Sequence, residues 1–155
     1  MVAINVFDAQ PEYDSSDPRG YRSGVAAVGR AAGGMTNNVK VYELPTDQSV
    51  SPYHYEYEEE WLLVLEGTVV LRDPDGEHPL GPGDLVCFPS GPEGAHKVSN
   101  PGEASARVMM FSSAREPAVA VYPDSDKIGV WPGRDSDTVM VKRADGAVDY
   151  WEGER

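Results

Sequence analysis

Two of the three histidines lie where a metal ion would find them. In Tyr53-His54-Tyr55-Glu56-Tyr57 an extended backbone sends alternate side chains to opposite faces, so His54 and Glu56 share one face and the three tyrosines the other. Glu58, Glu59 and Glu60 follow at once. Glu58 and Glu60 have the same strand parity, which leaves open which of them points inward. His96 comes much later, at the start of another predicted strand. Imidazole nitrogen with carboxylate oxygen suits Zn, Mn, Fe(II), Ni or Cu, and the donor types do not choose among them. No Gly-x-Ser-x-Gly elbow, phosphate loop or dinucleotide fingerprint offers a competing chemistry. The single cysteine, Cys87, excludes an intrachain disulfide and any multi-cysteine zinc site. Within Leu85-Val86-Cys87-Phe88 it is expected to be a buried packing residue, whereas His78, between a turn and Pro79, is expected at the surface.

The elements that must position these groups read as short strands. Sixteen glycines and thirteen prolines punctuate brief apolar runs. Strands are expected around residues 39–44, 53–57, 61–65, 68–72, 77–80, 85–88, 95–99 and 106–112, with turns such as Asp73-Pro74-Asp75-Gly76 and Asn100-Pro101-Gly102 between them. No sustained helical apolar stripe interrupts this region, so the fold class is all-β, an antiparallel sandwich or barrel. Residues 1–37 read as an N-terminal arm with an edge strand, 38–122 as the core and 123–155 as a C-terminal extension. In that extension Thr138–Lys142 and Val148–Trp151 are expected to form a hairpin about Asp145-Gly146.

Parity sorts the apolar residues as well. Leu62 and Val64 share the face of Glu60, and Val108, Met110 and Val98 should join them as walls of a substrate pocket. Trp61, Leu63 and Leu65 face the other way. A strand apolar on both faces is buried on both, so the outer face is expected to meet a second copy in a homodimer. Asn100 is expected to hydrogen-bond a loop at a strand end.

Length and charge bound the function. The chain of 155 residues suits one domain, and its 40% hydrophobic fraction supports a core. With 13 Lys+Arg against 26 Asp+Glu, the net charge of −13 argues against nucleic acid and against an anionic membrane surface. No apolar run approaches the roughly 20 residues that span a bilayer. The opening Met1–Asp8 lacks a basic n-region and a long apolar stretch, so the expected location is cytoplasmic.

The ordered pair His54-x-Glu56-x3-Glu60-x6-Gly67 and Gly83-x5-Pro89-x-Gly91-x4-His96-x3-Asn100 resembles the two motifs of the cupin family, over roughly residues 38 to 113. Leu63-Val64-Leu65-Glu66-Gly67 and Pro82-Gly83-Asp84-Leu85-Val86 strengthen the likeness. The resemblance implies a jelly-roll β-barrel, a homodimer, and one divalent metal ion (Zn, Mn, Fe or Ni) on His54, Glu60 and His96. Glu56 stands where most cupins have a second histidine, and as a ligand it would complete two imidazoles and two carboxylates. Two adjacent carboxylates require either a cation or a proton between them. The spacing from Gly91 to His96 is longer than the family pattern, and an alternative alignment uses Gly94 instead. The implied function is a metal-dependent enzyme on a small organic substrate, with Glu56 or Glu60 as general base in an isomerase or lyase, or a dioxygenase if the ion is Fe(II). The other implied function is a non-catalytic ligand-binding or sensory protein. Arg72, Lys97 and Arg107 are candidates for one positive contact with a ligand.

Overall fold

The computed structural model describes residues 2–154. In chain order the strands are β1 (Gly24–Ala26), β2 (Asn37–Leu44), β3 (Gln48–Ser49), β4 (Tyr55–Glu56), β5 (Glu60–Glu66), β6 (Val69–Asp73) and β7 (Gly76–Leu80). After them come β8 (Leu85–Phe88), β9 (Lys97–Asn100), β10 (Ala106–Ser113), β11 (Ala118–Tyr122), β12 (Lys127–Trp131) and β13 (Val139–Lys142). Among the described residues two single-turn α-helices, Val28–Ala31 and Arg143–Gly146, and three 3-10 turns, Pro92–Gly94, Pro123–Ser125 and Asp135–Asp137, accompany them. No described helix is long and apolar enough to cross a membrane. The all-β expectation holds.

The strands form three antiparallel sheets, ordered β1-β2-β10-β5-β8, β3-β9-β6-β7 and β13-β12-β11-β4. Alternation explains what they enclose. In β5 the inward set Leu62 and Val64 is sealed, as are Val108 in β10, Val69 and Leu71 in β6 and Val98 in β9. With Leu44 and Phe88 these side chains make one continuous apolar core between the first two sheets. Turn chemistry fixes the corners. Asp73 Oδ1 accepts from the amides of Asp75 (2.8 Å) and Gly76 (3.0 Å), closing the turn from β6 into β7. Asn100, 1% exposed, donates to the carbonyls of Leu44 (2.7 Å) and Ala104 (2.9 Å) and accepts from Gly102 N–H (2.9 Å). The expected loop-binding role is therefore met, and Asn100 ties the end of β2 to the turn after β9.

Two expectations need correction. Cys87 is exposed, because β8 is the edge of its sheet and turns Val86 and Phe88, not Leu85 and Cys87, toward the core. The terminal hairpin pairs β13 with β12, in register from Lys127↔Lys142 to Val130↔Val139, and Val148–Trp151 lies outside any strand. β12 already lies along β11 and offers a free edge. Beyond β13 the Asp126 carbonyl and carboxylate capture the amides of Arg143 (2.8 Å) and Ala144 (3.0 Å), where the chain leaves the sheet for a helical turn.

Candidate metal centre

A single backbone bridge builds the site. His54 and His96 are antiparallel partners: His54 N–H donates to His96 O (3.0 Å) and His96 N–H to His54 O (2.8 Å). Directly opposed residues project to the same face, and the imidazole centroids lie 4.6 Å apart. Aromatic rings hold them from either side, Phe88 stacking on His96 at 3.7 Å and Tyr122 on His54 at 5.8 Å.

The approach to His96 shows why its motif is longer than the family spacing. Gly91 takes φ 92°, and Pro92–Gly94 folds into a 3-10 turn. That turn is pressed against the preceding strand end, so a Cβ on Gly94 would sit 1.8 Å from Pro89 O. Both glycines are needed, one for a left-handed backbone and the other for close approach. The extra residues are absorbed in the turn, which presents Gly94 O to His96.

Both imidazoles are oriented through Nδ1. His96 Nδ1 donates to Gly94 O at 2.9 Å and His54 Nδ1 to Pro52 O at 3.0 Å, with Ser51 Oγ 3.2 Å away. A carbonyl only accepts, so the proton is on Nδ1 and the Nε2 lone pairs point inward. Between them stands Glu60, brought in at the first residue of β5: its Oε2 is 3.7 Å from His54 Nε2 and 3.6 Å from His96 Nε2. Glu60 Oε2 and His96 Nε2 are buried without a hydrogen-bond partner. These separations are too long for direct hydrogen bonds. They match donors arranged around an ion at about 2.0–2.2 Å from each, which places neighbouring donors roughly 3–4 Å apart. The donor set therefore fits a divalent cation.

The electrostatics agree. Burial first, and the neighbouring His54 second, push His96 down from 6.5 to about 3, and burial lowers His54. Both rings are thus neutral donors at pH 7. Burial, then the charge of Glu56, raise Glu60 from 4.5 to about 8 while Lys40 pulls it down. Without a cation this carboxylate is costly.

The sequence-derived residues separate into two groups. His54, Glu60 and His96 converge, all three donor atoms lying within 4.8 Å of one another. Glu56 lies beside them, Oε1 4.0 Å from His54 Nε2 and its side chain 27% exposed, facing a cavity of about 320 Å³. Burial raises the Glu56 pKa, opposed by Lys40. Glu60 is the inward carboxylate; Glu58 accepts a hydrogen bond from Ser113 Oγ on the cavity wall. Of the expected pocket walls, Met110 lines the cavity. Leu62, Val64, Val98 and Val108 do not, being at most 1% exposed within the core. Parity placed them on the inner face, but the barrel is filled with side chains beyond Glu60.

Sequence reading missed Lys40, Tyr42, Ser51, Arg115 and Tyr122, which also line the cavity. Parity contained part of the signal, since Lys40 and Tyr42 share the inward face of β2 with Leu44. Tyr122 arrives through the pairing of β11 with β4, for which no local pattern exists. The basic residues singled out earlier are engaged elsewhere. Arg72 holds Asp124 with two bonds of 2.6 and 3.0 Å, Lys97 lies over Tyr21, and Arg107 donates to the Phe7 and Ala9 carbonyls of the arm. A larger hollow of about 850 Å³ under that arm has no histidine in its lining.

Residues 40–112 match the Cupin domain family. Along almost its whole length the chain is similar in fold to a sugar phosphate isomerase from a cupin superfamily of Silicibacter pomeroyi, at 24% identity and TM-score 0.80, covering 96% of this chain and 98% of that one. A proposed sugar phosphate isomerase of Acidithiobacillus ferrooxidans gives 24% identity and TM-score 0.82, covering 96% and 95%. The polyketide cyclase RemF of Streptomyces resistomycificus gives 20% identity and TM-score 0.63 over 76% of this chain and 83% of its own. At these identities the likeness is one of fold. Comparison with curated proteins gives no match.

Proposed function

Residues 40–112 are a cupin domain, and on that footing we propose that the protein is a divalent-metal-dependent enzyme that moves a proton on a small organic substrate, as an isomerase or lyase does. One observation carries this reading: two oriented imidazole lone pairs and a buried carboxylate oxygen converge with no hydrogen bond among them. His54, Glu60 and His96 would hold the ion, whether Zn, Mn, Fe or Ni. A bound divalent cation supplies Lewis acidity to a substrate oxygen.

The chain's own groups do the rest. Glu56 faces the cavity beside the three donors, and its raised proton affinity suits a general base. Tyr42 and Tyr122 present phenols to the same cavity, with pKa values raised by burial and by the carboxylates. They remain protonated at pH 7 and can hydrogen-bond substrate oxygens. The sugar phosphate isomerases of like fold support this class, because exchanging a carbonyl with a neighbouring hydroxyl requires a base and a polarised oxygen. We also propose a homodimer through the outer face of β10, β5 and β8, where Trp61 stacks on Phe111 and Leu85 is 55% exposed.

Elemental analysis of untagged protein, purified without chelators, tests the reading beside the His54→Ala/His96→Ala double variant. Near-stoichiometric metal in the wild type and none in the variant is expected. Glu56→Gln should keep the metal and lose turnover on candidate sugar phosphates by about 100-fold or more. A folded wild type that takes up no metal overturns the proposal. Bound metal without turnover in the wild type would leave a ligand-binding protein, and turnover equal in wild type and Glu56→Gln would remove Glu56 from catalysis.

A further inference from the structure

The cavity beside the metal-ligating residues carries two cations, Lys40 from the inner face of β2 and Arg115 from the segment between β10 and β11. Among the described residues neither makes an ion pair or a side-chain hydrogen bond. Arg72, Arg107, Lys97 and Lys127 differ, being paired with a carboxylate, bonded to carbonyls or held over a tyrosine ring. The backbone sets Lys40 opposite Met110 and Asn38 opposite Ser112 across β2 and β10, and all four residues line the cavity. An ammonium, a guanidinium, an amide and a hydroxyl thus border the same space as His54, Glu56 and Glu60, with Ser112 directly beside Glu60 across β10 and β5.

Charge gives these groups their meaning. Glu56, Glu58 and Glu60 against Lys40 and Arg115 leave the ionised lining one charge negative. A divalent ion makes it one charge positive, against a net charge of −13 for the whole chain. Half-buried Lys40 acts as a point charge of reduced screening, and exposed Arg115 offers a planar fork at the mouth.

We propose that Lys40 and Arg115 form an anion subsite, so that the substrate carries a phosphate or carboxylate at one end while its reacting oxygen lies at the metal-ligating residues. The proposal rests on the metal reading above. Inorganic phosphate and glycolate serve as probes, with ethylene glycol as the uncharged control, in calorimetric titrations of manganese-loaded full chain at low and high salt. Metal content is measured on each sample.

Saturable binding of an anion and none of the glycol is expected, weakening with salt. Lys40→Met should raise the Kd about 10-fold or more, Arg115→Met less, and Lys40→Arg should recover part of the loss, all with wild-type metal content. Tighter phosphate than glycolate identifies a phosphate ester as the substrate class; the reverse identifies a carboxylate. Full metal with anion binding unchanged in Lys40→Met, or with glycol bound as well as the anions, overturns the subsite and leaves the metal reading standing. A wild type that takes up no manganese or other divalent ion overturns both.

Discussion

The inner face of this barrel has two ends built on the same strands, and they obey opposite rules. β5 runs through both, with Glu60 at one end and Leu62 and Val64, on the same face, at the other. Around Leu62 the barrel is filled by the apolar side chains of Leu44, Val69, Leu71, Val98 and Val108. Around Glu60 the polar groups crowd, and two buried polar atoms find no partner. Burying apolar surface is favourable at about 25 cal/mol per Å², whereas an unsatisfied buried polar group costs about 1–3 kcal/mol. One end therefore holds the fold together, and the other is kept in an unfavourable arrangement that a ligand can relieve.

The largest effect expected from this division is in the apolar end. Leu62→Ala should destabilise the chain by about 2–5 kcal/mol, because a fully buried leucine leaves a cavity in a packed core. Its metal content should be unchanged wherever the variant is folded. His96→Ala should do the reverse, abolishing metal uptake. Chemical denaturation combined with elemental analysis of both variants checks the contrast; a Leu62→Ala protein that folds and has lost its metal would show the two ends to be coupled.

Asn100 sharpens the comparison, since it is a buried polar group whose hydrogen bonds are made. Both carbonyls and the amide it serves lose their partner in Asn100→Ala, and about 1–3 kcal/mol of stability should go with them. Metal affinity should not move. A change in affinity without a change in stability would assign Asn100 to the site.

How much of this was legible follows from the range of the interactions. Strand alternation and Gly/Pro punctuation are local, so the all-β barrel could be read. His54 and Glu56 could be placed on one face by strand parity, whereas Glu60 was separated from Glu58 only by the resemblance to the two cupin motifs. Local parity cannot state how deep along the barrel a residue lies, which is why Leu62, Val64, Val98 and Val108 were expected in a cavity that ends at Glu60. It is equally silent on Tyr122, which reaches His54 through a long-range pairing of strands. Cys87 failed for a related reason, as an apolar run does not reveal that its strand is an edge.

The smallest effect concerns protons at the polar end of the metal-free protein. Glu60 titrates near 4.5 when unfolded and near 8 when folded. The folded chain keeps that proton longer, so this contribution to stability is full below 4.5 and is lost as pH rises toward 8. His96 runs the other way, from 6.5 unfolded to about 3 folded, and costs stability as pH falls below 6.5. Above 6.5 the histidine contribution is spent and Glu60 acts without it, with Glu56 adding in the same direction. Metal-free wild type should therefore lose stability from pH 6.5 to 8. One proton sets a slope of at most about 1.4 kcal/mol per pH unit. Glu60→Gln, which has no charge to bury, should flatten most of that slope, and a saturating divalent ion should abolish it by holding the carboxylate ionised. Denaturant midpoints of the three samples across this interval decide the matter: equal slopes in wild type and Glu60→Gln would mean that the cost of the polar end does not reside in Glu60.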